Sequence, residues 1–432
     1  HDFGALMTSV RQGGKSIADI ADEAISRKAK IIFSLFVWLA LVLVVGVFTY
    51  FCADTFVKEP KIVLPSLGLI PVAMLVGFLL YNLRKNLTVA TLLGLGLLAL
   101  LLFLGNIFPV VIPGNGLLIW SLILLVYCYF ASILPVNILL QPRDYLSSYL
   151  LFAGVGFGYL GMIFLHPAIS APAFVAWNSD SGALWPMLFV TVACGAISGF
   201  HSLIASGTSS KQIANEGDAR KIGYGGMIAE GIVALLAVLA VCAGLSKINL
   251  PQQLQEMGPV RLFAAGYQSL SSPLLKGFGG FIAITVLNAF ILTTLDTATR
   301  IGRYLTEELT GIKNPYLSTL AVVVCGGSLA LSGKWNKIWP AFGASNQLVA
   351  ALALVVLSAW LLCKGKPLRY TIFPALFMLI TTVVALIYQG WGYLAGKDYI
   401  LLAVSLALTA LSGFMLREAI ISFKEKKVCP RV

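Results

Sequence analysis

Eighteen acidic residues and three histidines among 432 are few enough that each one inside an apolar stretch asks for a chemical reason. His201 lies in CGAISGFHSLIASGTSS, where Ser198, Ser202 and Ser206 recur at i, i+4 spacing on one helical face. Hydroxyl oxygens are hard donors suited to Na⁺, and an imidazole that titrates near neutrality suits a proton. Serines at this spacing also pack membrane helices through hydrogen bonds without any substrate. Glu230, in IGYGGMIAEGIVALL, sits about 12 Å inside an apolar run at 1.5 Å per residue. A lone carboxylate at that depth is costly and calls for a proton or a partner. Asp296, in NAFILTTLDTATR, suits a proton carrier or ion ligand. It also stands four residues before Arg300, the spacing of a helix-surface ion pair.

A second polar group lies in LLIWSLILLVYCYFASILPVNILLQPRDYLSSY, within residues 116–148, a stretch longer than one straight span needs. Pro135 removes a backbone donor and clashes with the preceding turn, and Pro142 repeats this seven residues on. An unwound segment would offer free carbonyl and N–H groups to ions and carboxylates, with Ser132, Asn137 and Gln141 beside it. Arg143 could hold an anionic substrate or form a gate pair with Asp144. An ordinary proline kink ending in an Arg–Asp turn accounts for the same residues. There is no Walker loop, dinucleotide fingerprint, HExxH or GxSxG. Histidines 1, 166 and 201 are too scattered for a haem pair or metal cluster, and His1 with Asp2 could ligate a metal only with help from a preceding segment. Seven cysteines, none in a CxxC pair, read as small helix-packing residues.

The elements that must position these groups are membrane helices. The chain is 59% hydrophobic and 11% charged, with mean hydropathy +0.90, whereas soluble domains carry about 25% charged residues. This excludes an ordinary soluble enzyme, a disordered chain and a disulfide-stapled module. Apolar runs near 30–51, 62–82, 87–104, 116–140, 146–166, 185–206, 222–245, 277–299, 315–332, 339–363, 369–390 and 398–421 predict twelve spans. A half-helix ends near Val10, so the first helices are expected to be missing. If loop 11–29 is cytoplasmic, 22 of the 30 Lys and Arg residues fall inside, which predicts a cytoplasmic C-terminus and turns the net charge of +12 away from nucleic acid. KSIADIADEAIS places Ile17, Ile20, Ala21, Ala24 and Ile25 on one face, predicting an amphipathic helix on the cytoplasmic surface or packed on the bundle. Residues 246–276 read as a long outer loop that could include a short helix.

The segments YCYFASILPVNILLQPRDYLSSYLL, LWPMLFVTVACGAISGFHSLIASGTSSKQI and IGYGGMIAEG, with the opening HDFGALMTSVRQGGKSI, resemble the carbon-starvation protein (CstA) family of bacterial inner-membrane transporters. The resemblance implies an all-α polytopic membrane protein with a five-plus-five inverted-repeat (LeuT/APC-like) core and C-terminal accessory helices. It makes 1–10 the remnant of core helix two, 11–29 an amphipathic cytoplasmic connector, 30–299 core helices three to ten, and 300–432 accessory helices with a basic tail. In that frame 116–148 falls on helix six, one of the unwound substrate-holding pair, and 185–206 on helix eight, which commonly shares a cation site with helix one. The implied function is secondary transport of pyruvate, a related small carboxylate or short peptides by alternating access, coupled to H⁺ or Na⁺, with membrane lipid around it and no other cofactor. Substrate would meet Ser132, Pro135, Asn137, Gln141 and Arg143. The ion would meet Ser198, His201, Ser202, Glu230 and Asp296. A membrane-embedded redox or enzymatic subunit and a passive channel are the rival classes.

Overall fold

The computed structural model describes residues 1–179, 182–192, 194–195, 197–245 and 250–424. The chain opens with the short helices α1 (Asp2–Arg11) and α2 (Ile17–Ala24), then runs through α3 (Arg27–Lys58), α4 (Val63–Gly77), α5 (Leu87–Ile107), α6 (Gly116–Ile133) and α7 (Leu140–Leu165). A two-stranded hairpin, β1 (Asn178–Ser179) and β2 (Gly182–Ala183), precedes α8 (Phe189–Val192), α9 (Gly199–Gly207), α10 (Asp218–Cys242), α11 (Leu250–Leu275) and α12 (Gly279–Thr310). The order closes with α13 (Pro315–Leu331), α14 (Trp335–Cys363), α15 (Arg369–Ala395) and α16 (Tyr399–Lys424).

Among the described residues ten helical segments are long and apolar enough to cross a membrane, and each coincides with one of the twelve runs. This is a multi-pass membrane protein. Of the other two runs, 315–332 forms the 17-residue α13, and 185–206 is not one helix. Four-residue α8 ends at Val192, and Ser198 is extended before α9 begins. The interrupted helix therefore lies here.

The 116–148 stretch corrects an expectation. It forms no single broken span, because α6 and α7, of 18 and 26 residues, are each long enough to cross. Pro135 and Asn137 sit exposed in the six-residue link between them. Pro142 occupies the first turn of α7, where its missing N–H costs no helical bond.

Three further differences have physical causes. Residues 250–275 of the expected outer loop are the helix α11, kinked at Gly258 (φ 75°) and packed along α7, α10 and α12. Its Gln-rich start and two internal prolines hide it from a hydropathy scan. The apolar face of α2 is sealed against α3 and α14, with Ile17, Ile20 and Ala21 buried, so it is a packed connector and does not face lipid. α14, in the stretch expected to be accessory, has the most enclosed span, with 83% of its window buried. Small residues such as Ala341, Gly343, Ala344 and Ala351 let its neighbours approach closely. The basic tail expected at 425–432 lies outside the described residues, as does Lys247 of the outer loop.

Candidate functional site

The break between α8 and α9 leaves backbone groups that a continuous helix would have satisfied, and α14 supplies the replacements. Asn346 Oδ1 accepts from Phe200 N at 2.9 Å, and its Nδ2 donates to Ser198 Oγ at 3.2 Å. Ser198 Oγ in turn accepts from His201 N at 3.4 Å, capping α9. Gln347 Nε2 donates to Phe189 O at 2.6 Å, bracing the other side of the break. Gly199 permits this: a Cβ there would stand 2.3 Å from Asn346 O. In the same way Gly223 lets α10 back onto α1, since its Cβ would lie 2.7 Å from Phe3 Cα.

These two close approaches assemble three chemical groups from three helices. His201 Nδ1, in the first turn of α9, lies 3.1 Å from Glu230 Oε2 near the middle of α10. It lies 3.7 Å from Asp2 Oδ2 at the start of α1. The side chains are 33%, 27% and 13% exposed respectively, so the cluster is reachable. Each carboxylate finds the partner its depth demands. An imidazole between two carboxylates can hold one proton and hand it to either side. All three donor atoms lie within 4.8 Å of one another, a spacing a metal cation would accept as well. His1 contributes only through Asp2, its Nδ1 standing 2.5 Å from Asp2 Oδ1.

The serine stripe bonds back to its own helix and, through Ser206, to α1. Ser202 Oγ donates to Gly199 O at 2.6 Å, and Ser206 Oγ to Ser202 O at 2.8 Å. Ser9 Oγ reaches Ser206 O at 2.9 Å, tying α1 to α9.

Arg143 and Asp296 form a second, sealed node. Arg143 Nη1 donates to the Asp296 carboxylate and, at 2.6 Å, to Tyr127 OH. Tyr127 OH donates to Asp296 Oδ2 at 2.6 Å. Asp144 stays half-exposed, 3.3 Å from Arg143 Nη2, so the stronger partner of Arg143 is Asp296 and the expected gate pair is peripheral. Nor does Asp296 pair with Arg300, whose Nη2 turns to the carbonyls of Ala131, at 2.7 Å, and Leu134. Ser132 Oγ faces Thr319 Oγ1 of α13 at 3.5 Å, and Gln141 Oε1 accepts from Tyr81 OH at 3.3 Å. Ser132, Gln141 and Arg143 thus meet three different neighbours.

Sequence reasoning missed Asp2 as a partner of His201, Tyr127, and the Asn346–Gln347 pair. The last had a signal, two adjacent amides in an otherwise apolar run. The first two are joined to their partners only by the fold.

A family model described as carbon starvation protein CstA matches residues 1–254 and 245–385. The pyruvate/proton symporter BtsT of Escherichia coli K12 is 28% identical over 89% of this chain and 67% of its own length. The peptide transporter CstA of the same organism is 30% identical over 90% and 67%, and that of Mycobacterium tuberculosis H37Rv is 29% identical over 92% and 63%. This chain therefore spans about two thirds of the length of these relatives. Among solved structures, a manganese transporter of Eremococcus coleocola aligns with 97% of this chain and 94% of its own at 13% identity and a TM-score of 0.45. The break of α8–α9, its His201 cluster and the Arg143 node are thus features of a chain that belongs to the carbon starvation protein CstA family.

Proposed function

We propose that this protein is a secondary transporter importing pyruvate or a related small carboxylate, with short peptides as the second substrate class, driven by a proton. The observation that carries the reading is the Asp2–His201–Glu230 cluster, three protonatable groups from three helices meeting at an interrupted span. Polar groups at such breaks mark ion pathways in membrane proteins. The names of the relatives support both substrate classes, and the word proton in one of them favours H⁺ over Na⁺. Alternating access would rock core helices one, two, six and seven of an inverted-repeat core against three, four, eight and nine, with α1 packed on both α9 and α10. In this reading the α8–α9 break takes the role of the interrupted helix, and Arg143 meets the substrate carboxylate. The protein would sit in the bacterial inner membrane with its C-terminus cytoplasmic, as the bias of 22 basic residues to 8 supports.

The test is uptake into proteoliposomes of labelled pyruvate against a labelled tripeptide under an imposed pH gradient, repeated with a sodium gradient. Accumulation of pyruvate with the pH gradient is the expected result. Peptide accumulation moves the substrate to the second class, and flux indifferent to either gradient makes the protein a passive channel.

A further inference from the structure

The Arg143 node is enclosed more tightly than a settled ion pair needs to be, and its hydrogen bonding is incomplete. Arg143 is 2% exposed and Asp296 0%, so their desolvation is repaid only if every polar atom finds a partner. Arg143 Nε, Arg300 Nε and Asp296 Oδ1 have none. Asp296 is thus the one fully buried carboxylate beside two buried guanidinium groups: Arg143 holds it, with half-exposed Asp144 at its other edge, and Arg300, bonded to carbonyls, has no carboxylate of its own among the described residues. One more carboxylate would accept from an unpaired guanidinium N–H, while Asp296 Oδ1, itself an acceptor, is served only by a donor such as Arg300. Asp296 also presents to Arg143 the same functional group a carboxylate substrate carries.

Because Asp296 and Arg300 stand four residues apart on α12, they can meet on the helix surface. Arg300 is meanwhile occupied with the carbonyls of Ala131 and Leu134, at the end of α6 and the start of the 134–139 link.

We propose that Asp296 is a resident stand-in for the substrate's carboxylate, which Arg143 exchanges for the incoming one while Asp296 passes to Arg300. This inference rests on the reading of the chain as a carboxylate transporter. Each of Arg143 and Arg300 then holds a carboxylate of its own, where before only Arg143 did. Arg300 leaves the carbonyls of Ala131 and Leu134, freeing the link between α6 and α7, so filling the site is coupled to a change in backbone restraint. Selectivity follows: a monocarboxylate can replace Asp296 on Arg143, and its amide cannot.

The experiment measures binding of labelled pyruvate to protein purified in detergent, beside the proteoliposome uptake assay. Asp296→Asn removes the competitor and is expected to tighten binding about tenfold, one step of 1.4 kcal/mol. Arg300→Gln removes the acceptor of the displaced Asp296 and is expected to weaken binding about tenfold. Pyruvate should be displaced by acetate but not by pyruvamide. Tyr127→Phe, which takes one hydrogen bond from Asp296, should act in the direction of Asp296→Asn by a smaller factor, and it decides the matter if Asp296→Asn does not fold. Unchanged or weaker binding in a monodisperse Asp296→Asn protein, or in Tyr127→Phe, overturns the exchange. A wild-type protein that neither binds nor accumulates pyruvate overturns the substrate reading instead.

Discussion

The molecule carries two interruptions in its apolar pattern, and they come to opposite ends. The 134–139 link contains a proline and is followed by a charged pair, so it looks like a mid-membrane break, yet it joins two complete helices and its arginine is sealed against Asp296. The 193–198 interval, ACGAIS, contains neither proline nor charge, yet the span is interrupted before α9 and the charges gathered there stay reachable. The difference teaches that a break is made by what replaces the lost backbone bonds. At the link the helices end fully formed, and Arg300 covers the carbonyls of Ala131 and Leu134. At the true break, Asn346 and Gln347 reach across from α14 to serve the open backbone.

The contrast between a sealed ion pair and an open protonatable cluster can be broken by mutation. Arg143→Ala should cost the most stability, about 3–5 kcal/mol, because it strands a buried carboxylate. The expected readout is a large fall in melting temperature in detergent, and an unchanged melt would show that Asp296 is already protonated or otherwise served. His201→Ala should leave the melt close to wild type and lower gradient-driven accumulation by about 5- to 150-fold, the range of a site-to-site coupling energy. If uptake and its pH dependence survive that change, the open cluster is not the coupling site. Asn346→Ala should fall between the two regions. Unpairing Phe200 N costs about 1–3 kcal/mol, and uptake should drop because His201 loses its frame, while carboxylate binding at Arg143 persists.

The smallest effect belongs to a third pair, outside the spans. Lys334 and Lys337 hydrogen-bond Asp398 in the α15–α16 turn and hold its carboxyl below the usual carboxylate range. A depressed carboxylate adds stability above its unfolded pKa of about 4 and loses it as pH falls through the lower folded value. Melts recorded from pH 7 down to pH 3 should show a modest acid loss that Asp398→Asn removes.

Much of this was legible beforehand. Ten of the twelve expected spans are helices long enough to cross, and His201 and Glu230, singled out as isolated polar groups at depth, meet at 3.1 Å. Pairing by sequence neighbourhood held in part: Arg143 does meet Asp144, but its closer partner is the distant Asp296, and Arg300 turns from Asp296 to the carbonyls of Ala131 and Leu134. Residues 246–276 read as an outer loop with room for only a short helix because prolines and glutamines lowered the hydropathy, although packing on α7, α10 and α12 holds 250–275 as the helix α11.

The sequence by itself determined that this is a helical membrane protein, where most spans run and which polar residues are costly. Transfer from water to lipid is a sum over neighbouring residues, and a backbone in lipid must satisfy its own hydrogen bonds. Only the tertiary structure decided which interruption breaks a span and which charge meets which. Asp2 and His201 are brought together by helices whose approach depends on the absence of a Cβ at Gly199 and Gly223 and on side chains from α14, and Arg143 meets Asp296 because α7 packs on α12. Those are contacts between distant segments, whose energies appear only once the helices have packed.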